Sequence, residues 1–488
     1  MELDNLLKKA NIENSTAQPS LLIRKISCDS RNVEPNDLFV SIPCIDSFTY
    51  GRKALEKGVK VFIGPKETCE HFEKLFPDVR FISVSKPRLT LSKLAASFYP
   101  KQPQTIIAIT GTNGKSSVVN LLRQFWELSK LPAASLGTLG LSVSSRTKIT
   151  NVTVPNLTSP GALDFHKALC QLKENGIDHL AIEASSHGLD QYRIHGARLS
   201  AAAFTNLTQD HLEYHKTLEN YFNAKTKLFT EVLPKGSPAV INADSPYFEK
   251  LSTICSQQNH HVISYSLTQK ADFYVKNIHQ SHYATEFDLV IFGQLFSKQR
   301  IQLAGLFQVE NLLCAFALAH ATGIPISGLM PSLHLLQSVK GRMEYVASKN
   351  GSPIFVDYAH TPDALECVLK NLRPHVKEKL WVVFGCGGNR DTGKRSQMGK
   401  IAQELADNVI ITDDNPRFED AAHIRSQILE LCPKGREIGN RAEAIAVAIA
   451  GLKKDDVLLI AGKGHESGQI IGDVVYPFSD QDQILKHL

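Results

Sequence analysis

A three-domain α/β fold is predicted by three observations. Short apolar runs alternate with amphipathic helical stretches along most of the chain, the pattern of parallel sheets covered on both faces. A glycine-rich turn, Thr110-Gly111-Thr112-Asn113-Gly114-Lys115-Ser116-Ser117, joins one such run to a helical stretch. The chain of 488 residues is also too long for one ordinary core, and its length sets an expectation of about three domains.

The first block, residues 1–101, carries strand-like runs at Leu38–Ile42, Val59–Ile63 and Arg80–Val84. Tyr99-Pro-Lys-Gln-Pro103 reads as a linker, because proline interrupts regular structure. The second block, 102–338, opens with the strand Thr105–Thr110, the glycine-rich turn and a helix from Ser116 to Leu128. Its further strands are His179–Glu183, Ala201–Thr205 and Pro238–Asn242. The third block, 339–488, alternates strand Ile354–Asp357, helix Asp363–Leu372, strand Leu380–Phe384, helix Lys394–Leu405, then strands Asn408–Thr412 and Val457–Ala461. It reads as a doubly wound, Rossmann-like domain without a Gly-x-Gly-x-x-Gly fingerprint, which argues against a nicotinamide dehydrogenase.

Hydrophobic residues make up 43% and charged residues 21%, a balance that builds buried cores and excludes a disordered chain. The net charge of +5 is small for this length and no basic tract stands out. Nucleic acid is therefore not the expected partner, whereas anionic small molecules are compatible. The nine cysteines are scattered and never spaced Cys-x-x-Cys, which fits free thiols in a reducing cytoplasm and argues against a zinc site. The start lacks the apolar core of a signal peptide, and no stretch approaches the roughly 20 apolar residues of a membrane span. A cytoplasmic protein with no membrane insertion is expected.

The turn carries the clearest chemistry. Gly111, Thr112, Asn113, Gly114, Lys115, Ser116 and Ser117 follow a strand and open a helix, where inward backbone N–H groups, the helix dipole and one mobile lysine hold phosphate. ATP is the expected ligand, with Ser116 placed to bind Mg²⁺. Ile109 occupies the position of the first glycine in the common phosphate loop, so this loop is shorter. Glu183 ends a strand, where ligands of open α/β sheets collect, and a carboxylate there suits Mg²⁺. His211 is either a second metal ligand or a hydrogen-bonded structural residue. Lys225, on a helix, reads by itself as a solvated lysine.

Thr-Gly-Thr-Asn-Gly-Lys resembles the ATP loop of the Mur ligases and their folylpolyglutamate synthetase relatives, which join an amine to a carboxylate using ATP. The resemblance implies that Glu183 and His211 bind Mg²⁺ and that Lys225 is carbamylated to a carboxylate-like metal ligand. It makes Lys115, Lys225 and His211 the catalytic set. It places Asn311 in Gly305-Leu-Phe-Gln-Val-Glu-Asn311, Arg342 in Lys340-Gly-Arg-Met-Glu344 and Asp357 in Val356-Asp-Tyr-Ala-His-Thr-Pro-Asp363 on the nucleotide. It also implies a monomer.

Three third-block segments lie just after predicted strands: Phe384-Gly-Cys-Gly-Gly-Asn-Arg390, Thr412-Asp-Asp-Asn-Pro-Arg417 and Ala461-Gly-Lys-Gly-His-Glu466. Arginine grips a carboxylate bidentately, whereas Asp and Glu bind an ammonium, so the set suits a zwitterionic amino acid with an extra charged head. Asp414-Asn-Pro-Arg417 resembles the family members that add meso-2,6-diaminopimelate to UDP-N-acetylmuramoyl-L-Ala-D-Glu rather than L-lysine. By that resemblance Arg390, Asp414, Asn415, Pro416, Arg417, Gly462 and Glu466 contact the diamino acid, with Arg417 on the distal carboxylate. Cys28-Asp-Ser-Arg-Asn-Val-Glu-Pro-Asn-Asp-Leu-Phe39 resembles the family's UDP-binding domain. Ser30 matches a uridine-nucleotide contact, and Ser185, Gln191 and Arg193 match contacts to the muramoyl-dipeptide. The family's Thr-Thr-Pro is matched to Thr153-Val154-Pro155, and its Asp-Gly is replaced by Ser47-Phe-Thr-Tyr-Gly51. The alternatives are an L-lysine-adding or folate-type ligase of the same superfamily, and a nucleotide switch that hydrolyses ATP only to change shape.

Overall fold

The computed structural model describes residues 1–488 except 14–20, 145–149, 151, 153, 156, 281–283 and 304. Three main sheets follow one another along the chain. The first has four parallel strands in sequential order, Ile26–Ser27, Leu38–Val40, Val61–Gly64 and Arg80–Ser83.

The second sheet has ten strands, and Thr105–Thr110 lies inside it between His179–Glu183 and Leu199–Phe204, parallel to both. Alternation along Thr105–Thr110 explains how both faces are covered. Ile107 and Ile109 join one hydrophobic cluster, with Val118, Leu122 and Phe125 of the helix Lys115–Leu128. Ile106 and Ala108 join another on the opposite face, with Phe165 and Leu169 of the helix Ala162–Glu174. Each large apolar side chain fully buried this way contributes about 1.5–3 kcal/mol.

Beyond the parallel strands, Phe273–Gln280, Thr285–Ile291 and Gln294–Ile301 extend the second sheet as an antiparallel edge. The reading of wholly parallel sheets does not hold there. These strands bury one face and present polar residues on the other, an arrangement open to antiparallel sheets.

The third sheet has six strands, and four parallel ones at its centre run in the order Ser352–Asp357, Val457–Ala461, Leu380–Phe384, Asn408–Ile411. Val382 and Phe384 pack on one face and Trp381 and Val383 on the other, so the domain is doubly wound. A short hairpin, Gly468–Ile471 with Val474–Pro477, follows and pairs with the chain at Arg417. Near it, Arg441 Nε and Nη2 donate to Asp480 Oδ1 and Oδ2 at 2.7 Å each, with both side chains fully buried. Arg441 Nη2 also donates to Ala461 O at 2.9 Å, which fixes the end of the strand that leads into the loop Gly462–Glu466. Among the described residues, no helix is long and apolar enough to cross a membrane.

Candidate active site

The glycine-rich turn is built by close approach. Gly114 adopts the left-handed region, φ +86°, and a Cβ there would lie 2.4 Å from Asn311 Oδ1. A Cβ on Gly111 would lie 1.9 Å from Thr205 Oγ1. Glycine at both positions lets the ends of two neighbouring elements close on the loop. Thr205 Oγ1 donates to Asn113 O at 2.6 Å, Asn113 N donates to Asn206 Oδ1 at 2.8 Å, and Thr112 N donates to Asn206 O at 2.9 Å.

Two lysines converge on one carbonyl. Lys115 Nζ donates to Gly111 O at 2.9 Å and Thr112 O at 2.8 Å, and Lys225 Nζ donates to Gly111 O at 2.7 Å. Lys225 is 1% exposed, so it is not the solvated lysine that its helix position by itself suggests. Its Nζ also stands over the Tyr221 ring, 4.4 Å from the centroid. Burial, then the neighbouring Lys115 charge, holds the Lys225 amine well below the usual lysine range. Burial lowers Lys115 too, while Glu183 and Asp210 raise it.

Glu183 is buried at the end of its strand, where its Oε1 accepts from Thr138 N at 2.9 Å and its Oε2 from Thr138 Oγ1 at 3.0 Å. Ser116 Oγ accepts from Arg342 Nη2 at 3.3 Å, so an arginine of the third block reaches the phosphate loop. Ser117 is buried in the first turn of the same helix. His211 borders this group through Tyr221, whose ring lies 6.3 Å from its own and beneath Lys225 Nζ. The His211 ring faces Asp210 at 3.5 Å and Glu213 at 3.4 Å, and packs edge-on against His187 at 4.9 Å. Asp357 places both oxygens on backbone amides, Met343 N at 2.6 Å and Ala359 N at 2.7 Å, and so shapes the turns that carry Arg342 and Tyr358.

Ser185, Gln191 and Arg193, matched by resemblance to dipeptide contacts, meet at Ser159, which sequence reading missed. Ser159 Oγ donates to Glu183 O at 3.0 Å, accepts from Ser185 N at 3.1 Å and pairs with Ser185 Oγ at 3.0 Å. Arg193 Nη1 donates to Ser159 O at 2.8 Å, and Arg193 Nη2 donates to Gln191 Oε1 at 2.8 Å. Thr158 Oγ1 pairs with Thr138 Oγ1 at 2.9 Å. Thr153 lies outside the described residues, and Val154 packs against the hydrophobic cluster around Phe165. Thr158-Ser159-Pro160, just before the helix Ala162–Glu174, brings its hydroxyls to Thr138, Glu183 and Ser185. A second Thr-x-Pro immediately before a helix was the available signal. In the first domain, Ser30 and Arg31 line a cavity of about 290 Å³ with Phe39, Ser41, Ser47 and Tyr50.

In the third domain the loops after three strands interlock. Asp414 Oδ2 is buried with no hydrogen-bond partner among the described residues, and a Cβ on Gly462, φ +110°, would lie 2.8 Å from it. Asn415 Nδ2 donates to Glu466 Oε2 at 2.9 Å. Pro416 O lies 2.0 Å from where a Gly388 Cβ would sit, so only glycine admits this approach. Arg417, at φ +52°, donates from Nη1 to Gly388 O at 2.8 Å, and Arg390 is exposed on the adjacent loop. Tyr358 joins the two halves of the site, and sequence reading had no cue for it. Arg342 stacks on its ring at 4.6 Å, the His465 ring lies 5.0 Å away, and burial, then the Glu466 charge, raises its hydroxyl above the usual tyrosine range.

Residues 109–319 match the Mur ligase middle domain, and 341–464 match the Mur ligase glutamate ligase domain. The UDP-N-acetylmuramoyl-L-alanyl-D-glutamate--2,6-diaminopimelate ligase of Rhizobium meliloti (strain 1021) is 42% identical, with 95% of this chain and 93% of the relative covered. The enzyme of that name from Agrobacterium fabrum (strain C58 / ATCC 33970) is 43% identical, with 94% and 92% covered. A solved structure of a UDP-N-acetylmuramoyl-L-alanyl-D-glutamate--2,6-diaminopimelate ligase is 32% identical, matches with a TM-score of 0.70 and covers 100% of this chain and 99% of its own. With its phosphate loop, interlocked third-domain loops and full-length relatives, the chain belongs to the Mur ligase family.

Proposed function

We propose that this protein joins meso-2,6-diaminopimelate to the γ-carboxylate of D-Glu in UDP-N-acetylmuramoyl-L-Ala-D-Glu, at the expense of ATP, in cytoplasmic peptidoglycan precursor synthesis. The observation that carries the reading is Tyr358. Its ring lies under Arg342, which reaches Ser116 of the phosphate loop, and packs 5.0 Å from the His465 ring of the Ala461–Glu466 loop. Nucleotide and amino acid therefore bind across one space.

A carboxylate and an amine do not condense in neutral water, so the acid is activated first. The γ-phosphoryl group passes to the carboxylate oxygen and ADP leaves. The amine then attacks the acyl carbon, the C–O bond to phosphate breaks and the ammonium proton is lost. Lys115 follows the negative charge on the transferring group, and the loop amides hold its oxygens. Ser116 and Glu183 supply the hard oxygen donors that Mg²⁺ prefers. Lys225 fits the part of a third, because burial favours its neutral amine, the form that adds CO₂, releasing a proton and becoming a carbamate. Bound Mg²⁺ would neutralise phosphate charge in phosphoryl transfer. Asp210 and Glu213 each face one nitrogen of the His211 ring, so metal ligation through either nitrogen would displace one of them.

Uridine nucleotide is assigned to the cavity at Ser30, and the dipeptide to Ser185, Gln191 and Arg193 with Thr158 and Ser159. Arg390 and Arg417 face carboxylates of the diamino acid, while Asp414 and Glu466 face its ammonium groups. The test is hydroxylamine trapping. With ATP, Mg²⁺ and the nucleotide dipeptide but no amino acid, hydroxylamine should yield a γ-hydroxamate through the acyl phosphate. ATP hydrolysis without a hydroxamate would point instead to the nucleotide switch.

A further inference from the structure

Lys463 is completely buried, yet nothing in the reaction described above uses it. Two left-handed glycines flank it, Gly462 at φ +110° and Gly464 at φ +56°, and both are hemmed in by neighbours that leave no space for a Cβ. The backbone is thereby turned so that the lysine enters the protein instead of solvent. Its Nζ donates to Asn415 Oδ1 at 2.9 Å and to Glu466 Oε2 at 3.2 Å.

These contacts settle two orientations. Asn415 Oδ1 also accepts from Ile470 N at 2.9 Å, so two donors meet the same side-chain oxygen. Flipping the amide would set its NH₂ against both donors, so Nδ2 is obliged to face Glu466 Oε2 at 2.9 Å. Glu466 Oε2 then holds two donors, Lys463 and Asn415. Its other oxygen, Oε1, makes no hydrogen bond among the described residues, and the Glu466 side chain is 31% exposed. One oxygen of the carboxylate is tied down and the other is presented.

We propose that Lys463 is a positioning residue, which orients the Asn415 amide and pins one oxygen of Glu466 so that the other is offered to an ammonium group of the incoming amino acid. The proposal deepens the reading of this site as an amino-acid pocket and rests on it. Lys463 itself has no surface through which to touch substrate, so it acts only through Glu466, directly and by way of the Asn415 amide.

The test is steady-state kinetics on the full-length chain for wild type, Lys463→Met, Glu466→Gln and the double variant. Methionine matches the length of the stem and removes only the charge and the donors. The half-exposed surroundings of Glu466 let its carboxylate stay hydrated, and the double variant leaves no unpaired charge at all. Lys463→Met should raise KM for diaminopimelate at least tenfold. KM for ATP and for the nucleotide dipeptide should stay within twofold of wild type, and kcat at saturation within about threefold. In the Glu466→Gln background the same substitution should add less than twofold, because its route to the substrate is already cut. An unchanged KM for the amino acid would overturn the proposal, as would fully additive effects or a parallel rise of all three KM values. Wild-type turnover with diaminopimelate tests the functional reading separately. The variant-to-wild-type ratio tests Lys463 on whichever amino acid the wild type joins.

Discussion

Gly137 ends the strand beside Glu183, and adding one methyl group there tests whether Glu183 must stand where it does. The Cβ of Gly137→Ala would lie 2.2 Å from Glu183 Oε1 and 2.4 Å from both its Cδ and Cγ. No real Cβ tolerates those distances, and the target is the body of a buried side chain, so Glu183 must swing away. It then loses the two bonds from Thr138 N and Thr138 Oγ1, at 2.9 and 3.0 Å. Hydrogen bonds to a charged group are worth about 1.5–3 kcal/mol each, so the displacement costs about 3–6 kcal/mol. If that geometry is needed in the transition state, the rate falls by roughly two to four powers of ten. The assay is phosphate release across a Mg²⁺ titration, with circular dichroism to confirm folding. Gly161→Ala is the control, since among the described residues its Cβ would meet only Asp164 Oδ2, at 3.8 Å. Activity of Gly137→Ala within threefold of wild type at the same Mg²⁺ would refute the reasoning.

Other substitutions probe separate parts of the account. Asp480→Ala strands the buried Arg441 guanidinium and should destabilise the fold by about 3–5 kcal/mol, read by urea denaturation. Arg417→Lys keeps the charge and the left-handed backbone but loses the planar fork, so the preference for diaminopimelate over L-lysine should drop about tenfold or more, measured as a ratio of kcat/KM. Lys225→Ala should abolish turnover, and short carboxylic acids added to the assay should restore part of it. Full activity without them would exclude the carbamate. His166 is buried with its Nε2 2.8 Å from His195 O, and burial lowers its pKa from 6.5 to about 4. Between those values the unfolded chain binds a proton that the folded one does not. Stability is therefore full above pH 6.5 and falls as pH drops toward 4, by roughly 3 kcal/mol for this group. His166→Phe should flatten that limb of a pH–stability curve measured by denaturant titration.

Much of the fold was legible because its central strands are unbroken apolar runs. His179–Glu183, Pro238–Asn242, Leu380–Phe384 and Val457–Ala461 have the same bounds in the sequence reading and in the structure. The antiparallel strands from Phe273 to Ile301 escaped notice because one face is polar, so the runs are interrupted by Lys276, Glu286, Asp288 and Lys298. The phosphate loop was readable from glycines whose close contacts with Thr205 and Asn311 explain them afterwards. Ser159 and Lys463 were not, for physical reasons. A serine in a loop and a lysine between glycines look solvated until tertiary packing buries them. Lys225 was recognised only by resemblance, since its burial against Gly111 O depends on a residue 114 positions away.

The most direct measurement is phosphate release from ATP and Mg²⁺ with UDP-N-acetylmuramoyl-L-Ala-D-Glu, run in parallel with meso-diaminopimelate and with L-lysine and followed by mass analysis of the product. The account predicts release that requires the nucleotide dipeptide and diaminopimelate together, with a product heavier by one diaminopimelate residue. Release with L-lysine and not with diaminopimelate, or with neither, would contradict it.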